Sequence, residues 1–187
     1  MPGGARCLHG RVPLDEGHLA DRATAPLDEL LPGWIVIAQI SLALALLGAA
    51  SVFGTDVFFC VVGRSALTRV SAAALVETMG RLHEVADRRM PIFGASGIVG
   101  ALASSAFSRA SMPWALSAVA AQVLWIVVYR SVAAPVNADL TRHARAGSVP
   151  SDARALQARW DSVIVARVLL MGFTVVALAA ALARSAQ

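Results

Sequence analysis

Four apolar runs alternate with polar stretches along this chain. The runs fall at about 34–62, 91–107, 114–134 and 162–183, and the polar stretches at 1–32, 63–90 and 135–161. A bilayer core takes about 20 apolar residues in a helix, and 34–53 supplies that length by itself. In hydrocarbon the backbone must satisfy its own hydrogen bonds, which favours helices for such runs. The pattern predicts an all-α protein, a four-helix transmembrane bundle with two polar segments on one face. Residues 1–32 are expected to form a disordered or surface-lying tail, and 33–187 the membrane domain.

The polar segments carry their own periods. In 63–90, Glu77, Arg81, Glu84 and Arg88 form one helical stripe with favourable i,i+4 charge order. Val76, Met79, His83, Asp87 and Met90 form another face. The stretch 135–150 reads as a loop carrying Asn137, Asp139, Arg142, His143 and Arg145. Ser151 and Asp152 are N-cap residue types ahead of the last helix. That helix begins amphipathic and turns apolar after Asp161, with Trp160, Ile164, Arg167, Met171 and Thr174 on one face. In the second run, Ser96, Gly100 and Ser104 make a small-xxx-small series that lets membrane helices approach closely. Arg109, Met112 and Pro113 predict a tight turn after it.

Composition agrees with the pattern. The chain is 57% hydrophobic and 15% charged, with a mean hydropathy of +0.66. Soluble domains are about a quarter charged, so the imbalance points to an integral membrane protein. All 16 basic residues are Arg, and the formal charge is +4. A nucleic-acid binder would cluster Arg on a water-facing element. Here Arg sits at the ends of apolar runs, which speaks for topology and against nucleic acid. The positive-inside rule predicts 63–90 and 135–161 in the cytoplasm of a bacterial cell, both termini outside, and the bundle in its cytoplasmic membrane. The tail lacks the order of a signal peptide, and its His9 and His18 read as solvated. Cys7 and Cys60, one in the tail and one in an apolar run, suggest neither a disulfide framework nor a metal spacing.

Some residues sit where burial makes them costly. Asp56 lies near the end of the first apolar run, where a carboxylate needs a partner; Arg64 is one option, a functional cavity another. Arg167 falls inside the last run. It is expected to pair with Asp56, Asp161 or an anionic ligand, or else to snorkel to the headgroups. His83 and Asp87 are four apart and within reach of each other. They suit a base oriented by a carboxylate, part of a metal site, or a pair satisfied at a helix contact. Gln122, Trp125 and Tyr129 share a face, either lining a pocket for a flat aromatic ligand or filling the bundle core.

Three motifs carry a resemblance: FGTDVFF (53–59), PVNADLTR (135–142), and the Arg159–Trp160 pair with Arg167 seven positions beyond the Trp. Together they resemble the anthrone oxygenase-like family of small four-helix integral membrane proteins, over about residues 34–183. The resemblance implies that Asn137, Trp160 and Arg167 match the family's loop Asn, helix-opening Trp and downstream Arg. The family's His one turn after the Trp is Ile164 here, and His83 stands as its substitute. The implied activity is an oxygenase of secondary metabolism, a monooxygenase oxidising a hydrophobic, anthrone-like aromatic with O2. His83, oriented by Asp87, or Asp56 in its place, would remove a proton, and Arg167, Asn137 and Trp160 would stabilise the resulting oxyanion. No cofactor is expected, since neither a glycine-rich dinucleotide motif nor HExxH occurs in the sequence. Two alternatives stand beside it. One is a metal- or haem-dependent oxidase using His83, Asp87 and His143, with Asn137 nearby. The other is a non-enzymatic subunit of a transport or biosynthetic complex. Expected partners are the hydrophobic substrate, O2 and the lipid bilayer, with a homo-oligomer as an option. A transporter is disfavoured by the absence of a sequence repeat or broken helix pair.

Overall fold

The computed structural model describes residues 32–185. The readings made for the rest of the tail, including Cys7, His9 and His18, lie outside the described residues. Four long helical rods follow, of 35, 36, 34 and 32 residues. The first is α1 (Gly33–Phe58), a π turn at Phe59–Gly63, and α2 (Arg64–Leu67). The second is α3 (Ala72–Arg89) running into α4 (Pro91–Phe107). The third is α5 (Met112–Val128), a π turn at Tyr129–Ala133, and α6 (Ala134–Arg145). The fourth is α7 (Ala153–Asp161) and α8 (Ile164–Arg184). Each is long and apolar enough to cross a membrane. At about 1.5 Å per residue a rod spans about 50 Å, well beyond a hydrocarbon core of about 30 Å. The polar segments 63–90 and 135–161 are therefore largely continuations of the same helices that make the spans.

This corrects one expectation. The stretch 135–150 is mostly helix, because α6 continues to Arg145. Pro135 follows closely on the π turn at Tyr129–Ala133, a local departure from α-helix at the position where proline has no N–H to give and its ring would crowd a regular turn. Arg142, His143 and Arg145 occupy the last turn of α6, where positive charge suits the helix dipole. The chain turns only after this, at Gly147, whose φ of 60° lies in the left-handed region. Asp152 does occupy the N-cap of α7, but without a side-chain cap bond. Ser71 supplies a true cap for α3, its Oγ accepting from the Ala74 N–H at 3.1 Å.

Small residues draw the rods together. A Cβ on Gly48 would collide with the Phe93 carbonyl and Ser96, and one on Gly100 with the Ser41 carbonyl. These glycines seat α1 against α4, as the small-residue series implied. Gly172 of α8 lies against the Phe53 ring of α1, and α5 packs on both α4 and α8. The bundle interior is built from small side chains such as Ala38, Ala45, Ala101, Ala118 and Ala177, all buried. Leu47, Val99, Leu169, Phe173 and Val176 point outward. This suits lipid-facing helices, whose association depends on close packing rather than on the hydrophobic effect.

Beyond the spans, α3 packs on α6. Gly80 lies against the Leu140 carbonyl and Ala144, and Thr141 Oγ1 donates to the Gly80 carbonyl at 3.1 Å. The expected stripe is present, with Arg81–Glu77 at 3.1 Å and Arg88–Glu84 at 3.4 Å. Glu84 also reaches Arg145 of α6 at 3.0 Å. Arg154 of α7 donates to the Leu67 and Val70 carbonyls and so ties down the turn between α2 and α3.

Candidate functional site

The site is built around a buried ion pair. Asp56 is 1% exposed and Arg167 6%, and Arg167 Nη2 lies 2.5 Å from Asp56 Oδ1. The pairing partner of Arg167 is thus Asp56; Asp161 instead accepts from Gln157 Nε2 at 2.9 Å. The other Asp56 oxygen accepts from Trp125 Nε1 at 2.8 Å. Charges this deep persist only when paired and hydrogen-bonded, and both conditions hold for the carboxylate.

Three aromatic rings enclose the guanidinium. Its carbon lies 5.1 Å from the Trp125 ring centre, 5.6 Å from Tyr129 and 5.2 Å from Trp160. Such distances give cation–π attraction, which strengthens when the cation is desolvated. Trp125 and Tyr129 stack with centroids 5.4 Å apart and planes at 2°. Phe59 and His83 stand beside Trp160, with centroids at 5.4 Å and 5.9 Å. Local backbone form places these rings. Phe59 opens the first π turn and Tyr129 the second, and π turns recur at functional sites because they re-aim side chains. Gly63 leaves room for the Phe59 ring to lie against its own turn. A break at Ser162 and Val163 separates Trp160, at the end of α7, from Arg167 in the first turn of α8.

The expected His83–Asp87 pair does not form. Asp87 Oδ1 accepts from Tyr129 Oη at 2.8 Å and from Asn137 Nδ2 at 3.0 Å. Two donors from the third rod have taken the carboxylate, so it holds Tyr129 and Asn137 rather than orienting the imidazole. His83 is buried, and its Nε2 has no partner among the described residues.

A cavity of about 480 Å³ opens between the rods. Asp56, His83, Asp87, Trp125, Tyr129, Asn137, Trp160 and Arg167 all line it, together with apolar residues such as Val52, Leu82, Met90 and Ile98. Eight of the nine residues expected to act or to bind substrate therefore meet at one place. Gln122 does not. Its Nε2 donates to the Gly94 carbonyl at 3.0 Å, and Gly97 packs against its amide. It shares a face with Trp125 and Tyr129, but Gly97 lets α4 close over that face at its level, so it acts as a helix–helix bond.

The alternative metal set also fails to assemble. His143 Nδ1 lies 2.9 Å from Ser148 Oγ, near the loop after α6. Among the described residues no three His, Cys, Asp or Glu side chains gather closely enough to hold an ion. The ligands of a metal reading are thus not these three residues.

The unpartnered polar atoms of the site show what the cavity prefers. Trp160 Nε1, Arg167 Nε and Arg167 Nη1 are donors, buried and without partners among the described residues. Asn137 Oδ1 is an acceptor in the same condition. A buried polar group without a partner costs about 1–3 kcal/mol. A ligand offering oxygen acceptors to Trp160 and Arg167 and a hydroxyl to Asn137 would satisfy them. Sequence reasoning did not single out Phe59 as a wall of the Trp160 pocket; FGTDVFF contained it, but only the π turn aims it inward. Comparison of the chain with protein-family models, curated proteins and solved structures finds no match.

Proposed function

We propose that this chain is a membrane-embedded oxygenase of the anthrone oxygenase-like kind, acting on a flat, hydrophobic phenolic ketone that enters from the bilayer. The observation carrying this reading is the aromatic-walled cavity in which His83 Nε2, Trp160 Nε1 and the Nε and Nη1 of Arg167 lack partners among the described residues. His83, neutral, removes a proton from the methylene opposite the ring carbonyl. The electron pair spreads onto the carbonyl oxygen as a phenolate-like anion. Arg167 and Trp160 donate to that oxygen in a site of low dielectric, where such bonds count most. The anion passes one electron to O2, and the radical pair joins as a C–O bond to give a hydroperoxide after protonation. Loss of water from the hydroperoxide leaves the quinone. One O2 is consumed per substrate, one oxygen atom stays in the product and one leaves as water. The carbanion supplies the electrons, so the scheme calls on no cofactor.

Asp56 holds Arg167 in place rather than acting as the base, since both its oxygens are engaged. The stacked Trp125 and Tyr129 rings form a flat wall for the substrate. Arg64, Arg69, Arg81 and Arg154 stand at one end of the bundle, against Arg109 and Arg184 at the other. We infer from the positive-inside rule that α3, α6 and α7 face the cytoplasm.

The test is turnover of anthrone by detergent-purified protein in aerated buffer, following quinone absorbance and O2 uptake together. Oxidation above the spontaneous rate at one O2 per quinone is expected. His83→Ala should lower it about 10²–10⁴-fold, the usual contribution of a general base, while the helical circular-dichroism signal and melting point stay in place. A rate equal to that of detergent alone, or a His83→Ala variant as fast as the parent, would remove the proposal. A metal analysis and absorption spectrum on the same sample check that no haem or metal accounts for the turnover.

A further inference from the structure

A second cavity of about 620 Å³ lies between α3 and α6, outside the spans. It is lined by Arg88, Arg142 and Arg145, with Thr141 and Glu84 beside them. His83 and Asp87 line this cleft and also the membrane cavity. The two spaces thus adjoin across one pair of side chains, one space apolar and aromatic, the other polar and basic.

The charge of the cleft is not balanced internally. Of the cleft's guanidiniums, Glu84 answers two, Arg145 at 3.0 Å and Arg88 at 3.4 Å, and outside the cleft it shares Arg81 with Glu77. Each guanidinium has five donors in a fork, so most of their N–H groups remain unspent on this carboxylate. Arg142 contributes a further fork, with one Nη on Asp139 at 2.7 Å. Asp87, at the junction, already accepts from Tyr129 and Asn137. Among the lining residues three guanidiniums face two carboxylates, Glu84 and Asp87, so the cleft carries one positive charge more than negative, with free planar donors, the arrangement that recognises carboxylate or phosphate.

We propose that the ligand of this protein is amphipathic, with a flat apolar ring system in the membrane cavity and an anionic head, a carboxylate, held by Arg142 and Arg145 in the cleft. This rests on the reading of the membrane cavity as a ligand site. The head sets the direction of entry: rings go in between the rods, and the acid stays at the polar end. It also narrows the substrate class from any hydrophobic ketone to a polycyclic aromatic acid.

The experiment measures binding by quenching of tryptophan fluorescence, since Trp125 and Trp160 both line the membrane cavity. The probes are anthraquinone-2-carboxylate and its methyl ester, with the detergent-purified full chain and the R142Q/R145Q variant. The acid is expected to bind the parent about tenfold more tightly than the ester, the scale of one charge-assisted hydrogen bond. In R142Q/R145Q the two should bind alike, at the parent's affinity for the ester, which also shows that the bundle is intact. Equal binding of acid and ester to the parent overturns the proposal. So does an acid preference that survives in R142Q/R145Q, which would put the head elsewhere. If inorganic phosphate alone stabilises the parent while acid and ester bind alike, the cleft serves a free anion and the proposal fails. Binding of neither probe overturns it as well. Turnover of anthrone is read separately. Oxidation without acid preference sinks only the anionic head, and acid preference without oxidation sinks only the oxygenase.

Discussion

Replacing Asp56 with leucine isolates the energetics of the site. The variant leaves Arg167 charged, 6% exposed and without its carboxylate. Removing one member of a buried pair typically costs about 3–5 kcal/mol. Two structural facts adjust that figure in opposite directions. Trp125 Nε1 loses its acceptor as well, which adds about 1 kcal/mol or more. Arg167 keeps three aromatic rings within 5.6 Å, each worth about 0.5–1 kcal/mol. The expected loss is therefore about 3 kcal/mol, a large share of a total stability of about 5–15 kcal/mol. The double variant D56L/R167L should lie within about 1 kcal/mol of the parent, because well-packed apolar residues replace buried pairs at little cost. The assay is unfolding in mixed detergent and SDS, followed by far-ultraviolet circular dichroism, for the parent, both single variants and the double variant. If Asp56→Leu costs less than about 1 kcal/mol, or if the single-variant losses simply add in the double variant, the pair does not hold the bundle and the reasoning fails.

Other outcomes follow from the same geometry. Gly100→Val should push α1 from α4 and lower stability by about 1–3 kcal/mol, as overpacking does, whereas Gly94→Ala, with open space around its Cβ position, should unfold like the parent in the same detergent titration. Trp125→Phe keeps a ring over Arg167 but removes the donor to Asp56, and should cost about 1 kcal/mol by circular dichroism. Gln122→Leu should weaken the α4–α5 contact without changing anthrone oxidation; a fall in turnover with stability intact would return Gln122 to the substrate site. Glu84→Gln should lower the melting point in low salt and have little effect in 1 M NaCl, because its partners Arg88 and Arg145 are exposed.

How far the sequence could be read differs by element. The four spans and the burial of Asp56 and Arg167 were legible, because an apolar run of membrane length and a charge inside it have few physical resolutions. The facing of Trp160 and Arg167 was legible from spacing, and the break at Ser162 and Val163 leaves both buried. The His83–Asp87 pairing was misread because i,i+4 spacing shows what can touch, not what else competes. Tyr129 and Asn137, 42 and 50 residues away in sequence, won the carboxylate. Gln122 was misplaced for a similar reason: a shared face says nothing of how closely the neighbouring helix covers each level, and Gly97 sets that distance. The stretch after Pro135 looked like a loop because its residues are polar. Its basic residues Arg142, His143 and Arg145 would have read equally well as the last turn of a helix. The cavities themselves were not legible, since one is walled by residues from all four rods and the other by two rods whose packing no local pattern fixes.

The two π turns bear on how this chain can tolerate loss of residues. A turn closed from i to i+5 holds about one residue more than one closed from i to i+4. Deleting a single residue within Phe59–Gly63 or Tyr129–Ala133 would let the backbone revert to ordinary α-helix with both flanks still in phase. The same deletion a turn away would rotate everything beyond it by about 100°, which in the third rod would swing Asn137 off Asp87. Shortening is therefore least disruptive inside two of the rods, at the level of the aromatic box, and a one-residue change there would re-aim Phe59 or Tyr129 while leaving the bundle assembled.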